Sequence, residues 1–188
     1  MAGVRGTDLL DALAFVRQGH GPDANDRILI ALDPSTREIL GKPVREEEWY
    51  PLEALASYLV TAHRLLEPEA TDFYRRQGFF AAQRRKAGPL SVMVESSEHR
   101  MRLAPTAWRI FYDVGHLEVV GATAPEATAR IHGFPATPEL CERFLGIWEG
   151  LSSEPGRRAR AEEMRCVRKG DPYCEIRVLY EPEPSQAP

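Results

Sequence analysis

Apolar residues fall three and four positions apart along the chain as far as about residue 114, and the period then shortens towards two. The first part therefore predicts helices. Leu9, Leu10, Leu13, Phe15 and Val16 mark one over Thr7 to Gly19, with Thr7 as its cap. Ile28, Leu29 and Leu32 mark a second, capped by Asp23 and stopped by Asp33-Pro34, and a short turn of helix covers Ser35 to Leu40. A long buried helix opens with Pro51 at its first position and carries Leu52, Leu55, Ala56, Leu59, Ala62, His63 and Leu66. His63 on that stripe is expected to be a hydrogen-bonded core histidine. The next helix is predicted from Pro68 to about Ala87, with Phe73, Tyr74, Phe79, Phe80 and Ala81 inward and Arg75, Arg76, Arg84 and Arg85 on a solvated face. Leu90 to Glu95 is a short apolar run, and a further helix is predicted from about Pro105 to Val114, with Trp108, Ile110, Phe111 and Tyr112.

From His116 the alternation predicts two strands, Leu117 to Gly121 and Ala127 to His132, around Ala124-Pro125-Glu126. Thr137-Pro138-Glu139 is a helix start: a capping hydroxyl, a proline in the first turn, and an acid favoured by the helix dipole. Leu140, Phe144, Ile147 and Leu151 form one stripe of that helix, and Cys141, Leu145 and Trp148 the adjacent one. Gly146 and Gly150 predict its close approach to the sheet. Two alternating runs then flank Lys169-Gly170-Asp171-Pro172, a turn sequence, so a β-hairpin is predicted with Cys166 and Cys174 facing each other. Helices followed by β-β-α-β-β give an α+β class: N-terminal helices packed on a mainly antiparallel four-stranded sheet. A single domain over residues 1–180 is expected, with the proline- and acid-rich residues 181–188 as a disordered tail.

Composition changes this picture little. The chain has 188 residues, of which 43% are hydrophobic and 28% charged, as in an ordinary soluble domain. Its net charge of −4 argues against a general nucleic-acid binder. No apolar run approaches the length needed to span a bilayer, and the first residues lack a basic run followed by an apolar core, so a cytoplasmic location is expected. Cytoplasmic thiols stay reduced, and three cysteines would leave one unpaired in any disulfide scheme.

Chemistry concentrates at the end of the chain. Directly opposed strand residues have Cβ atoms about 4.5–5.5 Å apart, which suits two sulfurs that share a metal or bond to each other. Cys141, Cys166, Cys174 and Glu163 could supply a Cys₃Glu set for zinc, or the cysteines could be three buried free thiols; spacing alone leaves both open. Residues three apart on a regular strand face opposite ways, so Glu163 and Cys166 converge only if the strand bulges. There is no Gly-rich phosphate loop, HExxH, nucleophile elbow or usefully spaced acid pair, and His20, His63, His99, His116 and His132 are scattered, so no enzyme is expected.

The pattern Cys141…Gly146…Gly150…Glu163-x-x-Cys166-x-x-x-Gly170-Asp171-x-x-Cys174-Glu175 resembles the V4R (4-vinyl reductase-type) domain from about Leu117 to Tyr180. That family is similar in fold to the TRAPP vesicle-tethering subunits and is grouped with haem-NO-binding domains. The N-terminal half is also similar to uncharacterised myxobacterial proteins of comparable length. The resemblance implies a structural zinc on Cys141, Glu163, Cys166 and Cys174. It further implies a non-enzymatic sensory or regulatory module that binds a small apolar or aromatic ligand, with Trp108, Phe111, Tyr112 and Trp148 as candidate lining residues. A homodimer or a protein partner would carry the signal. The alternative it implies is a TRAPP-like interaction or scaffold protein without ligand. The Tyr-x-Ser-x-Arg signature of haem-NO-binding domains is absent, which argues against haem.

Overall fold

The computed structural model describes residues 2–87, 97–123 and 125–182. A short strand β1 (Gly3–Arg5) leads into helix α1 (Gly6–His20), followed by α2 (Ala24–Ala31) and α3 (Pro34–Leu40). Asp33 caps α3 by accepting the Thr36 N–H at 2.9 Å, and Pro34 occupies the first turn, where no N–H is needed. Strand β2 (Trp49–Pro51) pairs antiparallel with β1, so Trp49-Tyr50-Pro51 is extended and helix α4 (Leu52–Leu66) begins one residue later than predicted. Helix α5 (Phe73–Lys86) starts five residues beyond the predicted Pro68. Helix α6 (Ser97–Phe111) starts well before the predicted Pro105 and continues through it, with Met101 and Trp108 buried on one side of it. The apolar run Leu90 to Glu95 lies outside the described residues, and so do tail residues 183–188.

Strands β3 (His116–Ala122) and β4 (Glu126–His132), helix α7 (Pro138–Ser152), and strands β5 (Arg157–Arg165) and β6 (Cys174–Pro182) complete the chain. The four strands form one antiparallel sheet in the order β3-β4-β6-β5, as the α+β reading expected. Strand β6 takes in Glu181 and Pro182, so the start of the expected tail is sheet. Alternate residues Ala127, Ala129 and Ile131 on β4 and Cys174, Ile176 and Val178 on β6 are buried beneath α7. The opposite face is wet and ion-paired, through Glu118–His132, Arg130–Glu175 and Glu162–Arg177. No helix among the described residues is long and apolar enough to cross a membrane.

Helix α7 lies between this sheet and the N-terminal helices, and its glycines explain how. A Cβ on Gly146 would stand 1.8 Å from the Arg75 carbonyl oxygen of α5, and one on Gly78 of α5 would stand 2.0 Å from the Arg143 carbonyl oxygen of α7. The two helices therefore touch backbone to backbone. Gly146 and Gly150 serve this crossing with α5, not the predicted approach to the sheet. Side chains from the crossing also seal edge strand β5. Ser153 Oγ accepts the Ala159 N–H, Glu149 Oε1 accepts the Ala161 N–H, and Arg75 donates to the Ala161 carbonyl. Arg75, expected on a solvated face, is thus an edge cap, held by Glu149 at 2.6 and 2.9 Å.

Gly146→Ala is expected to lose about 2 kcal/mol, because helix displacement outweighs the roughly 1 kcal/mol of helix propensity gained. Gly19→Ala, with nothing within 4 Å of its new methyl, should gain roughly 0.5–1 kcal/mol. Urea unfolding of both variants checks the pair, and equal shifts would refute the close crossing.

Candidate functional site

Two clusters of chemically active side chains are present, one between the helices and one between α7 and the sheet. The first begins with charges on apolar stripes. Asp8 and Asp11 lie one turn apart on α1 among Leu9 and Ala12, and Arg143 sits on α7 between Leu140 and Ile147. Arg143 is 1% exposed. Its guanidinium donates to Asp8 Oδ1 at 2.5 Å, to Gln77 Oε1 of α5 at 2.6 Å and, at 3.1 Å, to the hydroxyl of Tyr112, which follows α6 and bridges to Val4 of β1. Tyr112 in turn donates to Asp8 Oδ1 at 3.1 Å. Arg85 approaches the same carboxylate at 2.8 Å, and Arg84 donates to Asp11 at 2.8 Å. Arg85, predicted as solvated, is therefore the α5 half of a buried ion cluster, whereas Arg84, with its side chain 52% exposed, keeps its predicted solvated place and reaches Asp11 from the rim.

Burial pushes the Asp8 carboxyl up, but the adjacent Arg85 and Arg143 outweigh it and hold the group below its ordinary range. Asp11 goes the other way: burial, aided by the charge of Asp8, raises it despite Arg85 and Arg84. Burial and then the Asp8 charge push the Tyr112 hydroxyl up to about 12, so it stays a neutral donor.

Tyr112 also belongs to an aromatic cluster. Trp108 lies 4.5 Å from Tyr112 and 5.4 Å from both Phe134 and Phe144, ring centroid to centroid, and its Nε1–H donates to the Val114 carbonyl at 3.1 Å. The four predicted lining residues are not brought together. Trp108 and Tyr112 share this cluster, Phe111 lies under the Arg85 guanidinium at 4.1 Å, and Trp148, buried on α7, makes no ring contact with them among the described residues.

The second cluster is the predicted thiol set. Cys141 of α7 and Cys174 of β6 stand 3.8 and 3.7 Å from the Cys166 sulfur, and all three are buried. The hairpin is less regular than predicted. Strand β5 bulges between Glu163 and Arg165, as the convergence of Glu163 on Cys166 required, and Cys166 leads into a 3₁₀ turn, Val167–Lys169. Asp171 Oδ2 accepts the Cys166 N–H at 2.9 Å, and Gly170 closes the turn with φ of 91°, where a side chain would be strained. Burial raises the Cys141 and Cys174 thiols. Glu163 stands beside the trio, but its carboxylate is committed to Lys169 at 2.7 Å and to Arg168.

No protein-family model and no curated protein matches this sequence. Solved structures do match. An H-NOX protein from S. oneidensis in the Fe(II) ligation state, a triple mutant, superposes with a TM-score of 0.73 at 12% identity, over 97% of this chain and 99% of that one. The Fe(II) unliganded H-NOX protein from K. algicida gives 0.72 at 10% identity, over 98% and 100%. The S. oneidensis domain in its Fe(II)CO state gives 0.73 at 13% identity, over 94% and 98%. At such identities the likeness shows the fold: this chain has an H-NOX-like fold along nearly its whole length. The expected likeness in fold to haem-NO-binding domains is therefore shown, and the V4R and TRAPP-like names gain nothing.

Zinc is corrected by the same finding. The solved structures it resembles carry Fe(II), and the fourth member of the expected Cys₃Glu set is already paired with cations. The cysteines stand here as free, buried thiols.

Haem does not fit the described residues either. A cofactor of that size needs a cleft of roughly 300 Å³ or more and an axial ligand facing it. The space enclosed between the sheet and α7, lined by Phe134, Phe144 and Ile131 among others, is about 10 Å³, room for one water molecule. His63 spends both ring nitrogens, donating to the Ala70 carbonyl at 2.9 Å and accepting from Tyr74 at 3.1 Å, so it is hydrogen-bonded as predicted, but half-buried at the edge of the core. His20 is held by Glu67, His132 by Glu118, His116 is exposed and stacked on His132, and His99 is engaged by a partner of its own.

Sequence reasoning missed Asp8, Gln77, Arg85 and Arg143. The available signal was opposite charges standing on the apolar stripes of separate helices.

Asp8→Asn should lose about 3–5 kcal/mol at neutral pH, because it leaves Arg85 and Arg143 buried together. Its lowered pKa places the native contribution above about pH 4, to be lost as pH falls through the folded value. Asp11→Asn has the opposite sign. A raised folded pKa means that ionised Asp11 costs stability above that value, so the variant gains stability at neutral pH and the gain fades towards about pH 4. Denaturant unfolding across that range reads both, and a loss of equal size in the two variants would contradict the assignment. The thiols give a separate expectation: alkylation slows roughly a hundredfold or more on folding at all three cysteines, read by mass spectrometry, and a fast site would place that sulfur at the surface.

Proposed function

We propose that this chain is a non-enzymatic sensory module that binds a small apolar or aromatic molecule without haem. The observation that carries the reading is the junction of the aromatic and ion clusters. There the rings of Trp108, Tyr112, Phe134 and Phe144 adjoin the site of Asp8 Oδ2 and Gln77 Nε2, which are buried with no hydrogen-bond partner among the described residues. A ligand with an apolar ring and one polar group would match both halves. The interior is closed, so the rings must part to admit it, and occupancy then becomes a change of shape that a partner or second copy can sense. The fold supports a sensor: the solved structures include an H-NOX protein in its Fe(II)NO state. The lack of a nucleophile, metal-protease or paired-acid motif supports a sensor over an enzyme.

A second reading, a protein-interaction module without ligand, has its own support. Leu103 and Ile110, seven residues apart on one side of α6, are 41% and 44% exposed, and the interior is filled.

Four measurements on purified protein test these readings. The absorbance spectrum should lack a Soret band. In a thermal-shift screen of small aromatic and aliphatic compounds, at least one should raise Tm by several degrees, with the effect lost in Trp108→Ala. No shift from any compound, together with a native mass equal to the bare chain and a stable dimer in solution, would replace the first reading by the second.

A further inference from the structure

An open groove of about 610 Å³ runs between the start of α5, the end of α7 and edge strand β5. It is lined by five arginines, at 75, 76, 157, 158 and 160, against three acids, in a chain whose net charge is −4. Two of those acids are spent inside the fold: Glu149 on Arg75 and the Ala161 N–H, and Asp72 on Arg76 at 3.0 Å. Two arginines are not. Arg158 is exposed with no partner among the described residues, and Arg160, 66% exposed, reaches only Glu162 at 3.6 Å; both leave β5 on the face opposite Ala159 and Ala161 and meet the groove at the strand's outer edge. Arg157 rests flat on the Tyr180 ring at 4.1 Å, and Phe79, 38% exposed, contributes an apolar ring to the same groove.

We propose that this groove binds a phosphate-bearing small molecule of nucleotide size. Guanidinium groups present planar donor forks that match phosphate oxygens two at a time, and the groove's volume falls in the range of small-ligand clefts. Phe79 offers a face for a planar group of the ligand. An extended acidic peptide is the less suitable occupant. The strand edge that such a peptide would pair with is already bonded at Ala159 and Ala161 by Ser153, Glu149 and Arg75. The site is separate from the interior proposed above, and neither Trp108 nor Tyr112 lines it.

Titration calorimetry of the whole chain at low salt tests this with three probes: ATP, inorganic tripolyphosphate and a glutamate-rich peptide. ATP should bind saturably, and the Arg158→Glu/Arg160→Glu variant should weaken it roughly tenfold or more, with Tm unchanged because both side chains are exposed. Phe79→Ala should weaken ATP more than tripolyphosphate. No saturable heat with ATP, an affinity unchanged in the double variant, or binding of the peptide alone would each overturn the proposal. The aromatic-compound screen should respond identically in wild type and the double variant, so failure here is distinguishable from failure of the sensory reading.

Discussion

One guanidinium holds the helical part of this molecule together. Arg143 reaches from α7 to Asp8 on α1, Gln77 on α5 and Tyr112 just beyond α6, so three helices and the end of a fourth meet at a single planar donor. Removing such a charge from water is expensive, and its attraction to one carboxylate seldom returns more than that cost. The arrangement is therefore a weak source of net stability and a strong source of specificity. Only one mutual placement of the helices satisfies Arg143, and any other leaves a buried cation without a partner. The Asp8–Asp11 pair shows how finely the balance sits: burial raises and arginines lower both carboxyls, and the arginines win at Asp8 while burial wins at Asp11.

The backbone makes this reach possible. Because Gly78 and Gly146 let α5 and α7 meet without side chains between them, the Arg143 carbonyl lies against α5 while its side chain extends into the polar cluster. The same helix carries Cys141 towards the hairpin and Phe144 into the aromatic cluster. Helix α7 thus couples the sheet to the helices through three kinds of contact: sulfur, ring and charge. That coupling is why a small-molecule reading is attached to the junction of rings and charges: a displacement of Trp108 or Tyr112 cannot stay local when Tyr112 is bonded to both Asp8 and Arg143.

Much of the architecture was legible in the sequence, because period-2 and period-3.6 patterns report burial directly. The strands around Ala124-Pro125-Glu126, the Thr137-Pro138-Glu139 helix start, the hydrogen-bonded His63 and the bulge near Glu163 all follow from local rules. The misses share a cause, which is that tertiary contacts overrode local signals. Pro105 marked a helix start by its chemistry, yet lies inside α6. Arg75 and Arg85 looked like a solvated face until their acidic partners arrived from other helices. The thiols were found by spacing, because they are rare and close in sequence. The ion cluster was not, because its members span from Asp8 to Arg143 and no local pattern links them. Zinc was inferred from the V4R resemblance, and the carboxylate that would complete its donor set, Glu163, is paired here with Lys169 and Arg168.

The capped edge of β5 has a consequence for the molecule's behaviour in a crowded solution. A four-stranded antiparallel sheet ends in two edges, and an open edge is a template on which another chain can grow. Here one edge has its outward amides and carbonyl taken at Ala159 and Ala161, and the other, β3, is interrupted by a bulge between Val119 and Gly121. Neither offers a long straight run of unpaired groups. Growth of this sheet by strand addition is therefore disfavoured at both edges while the α5–α7 crossing holds the caps of β5 in place.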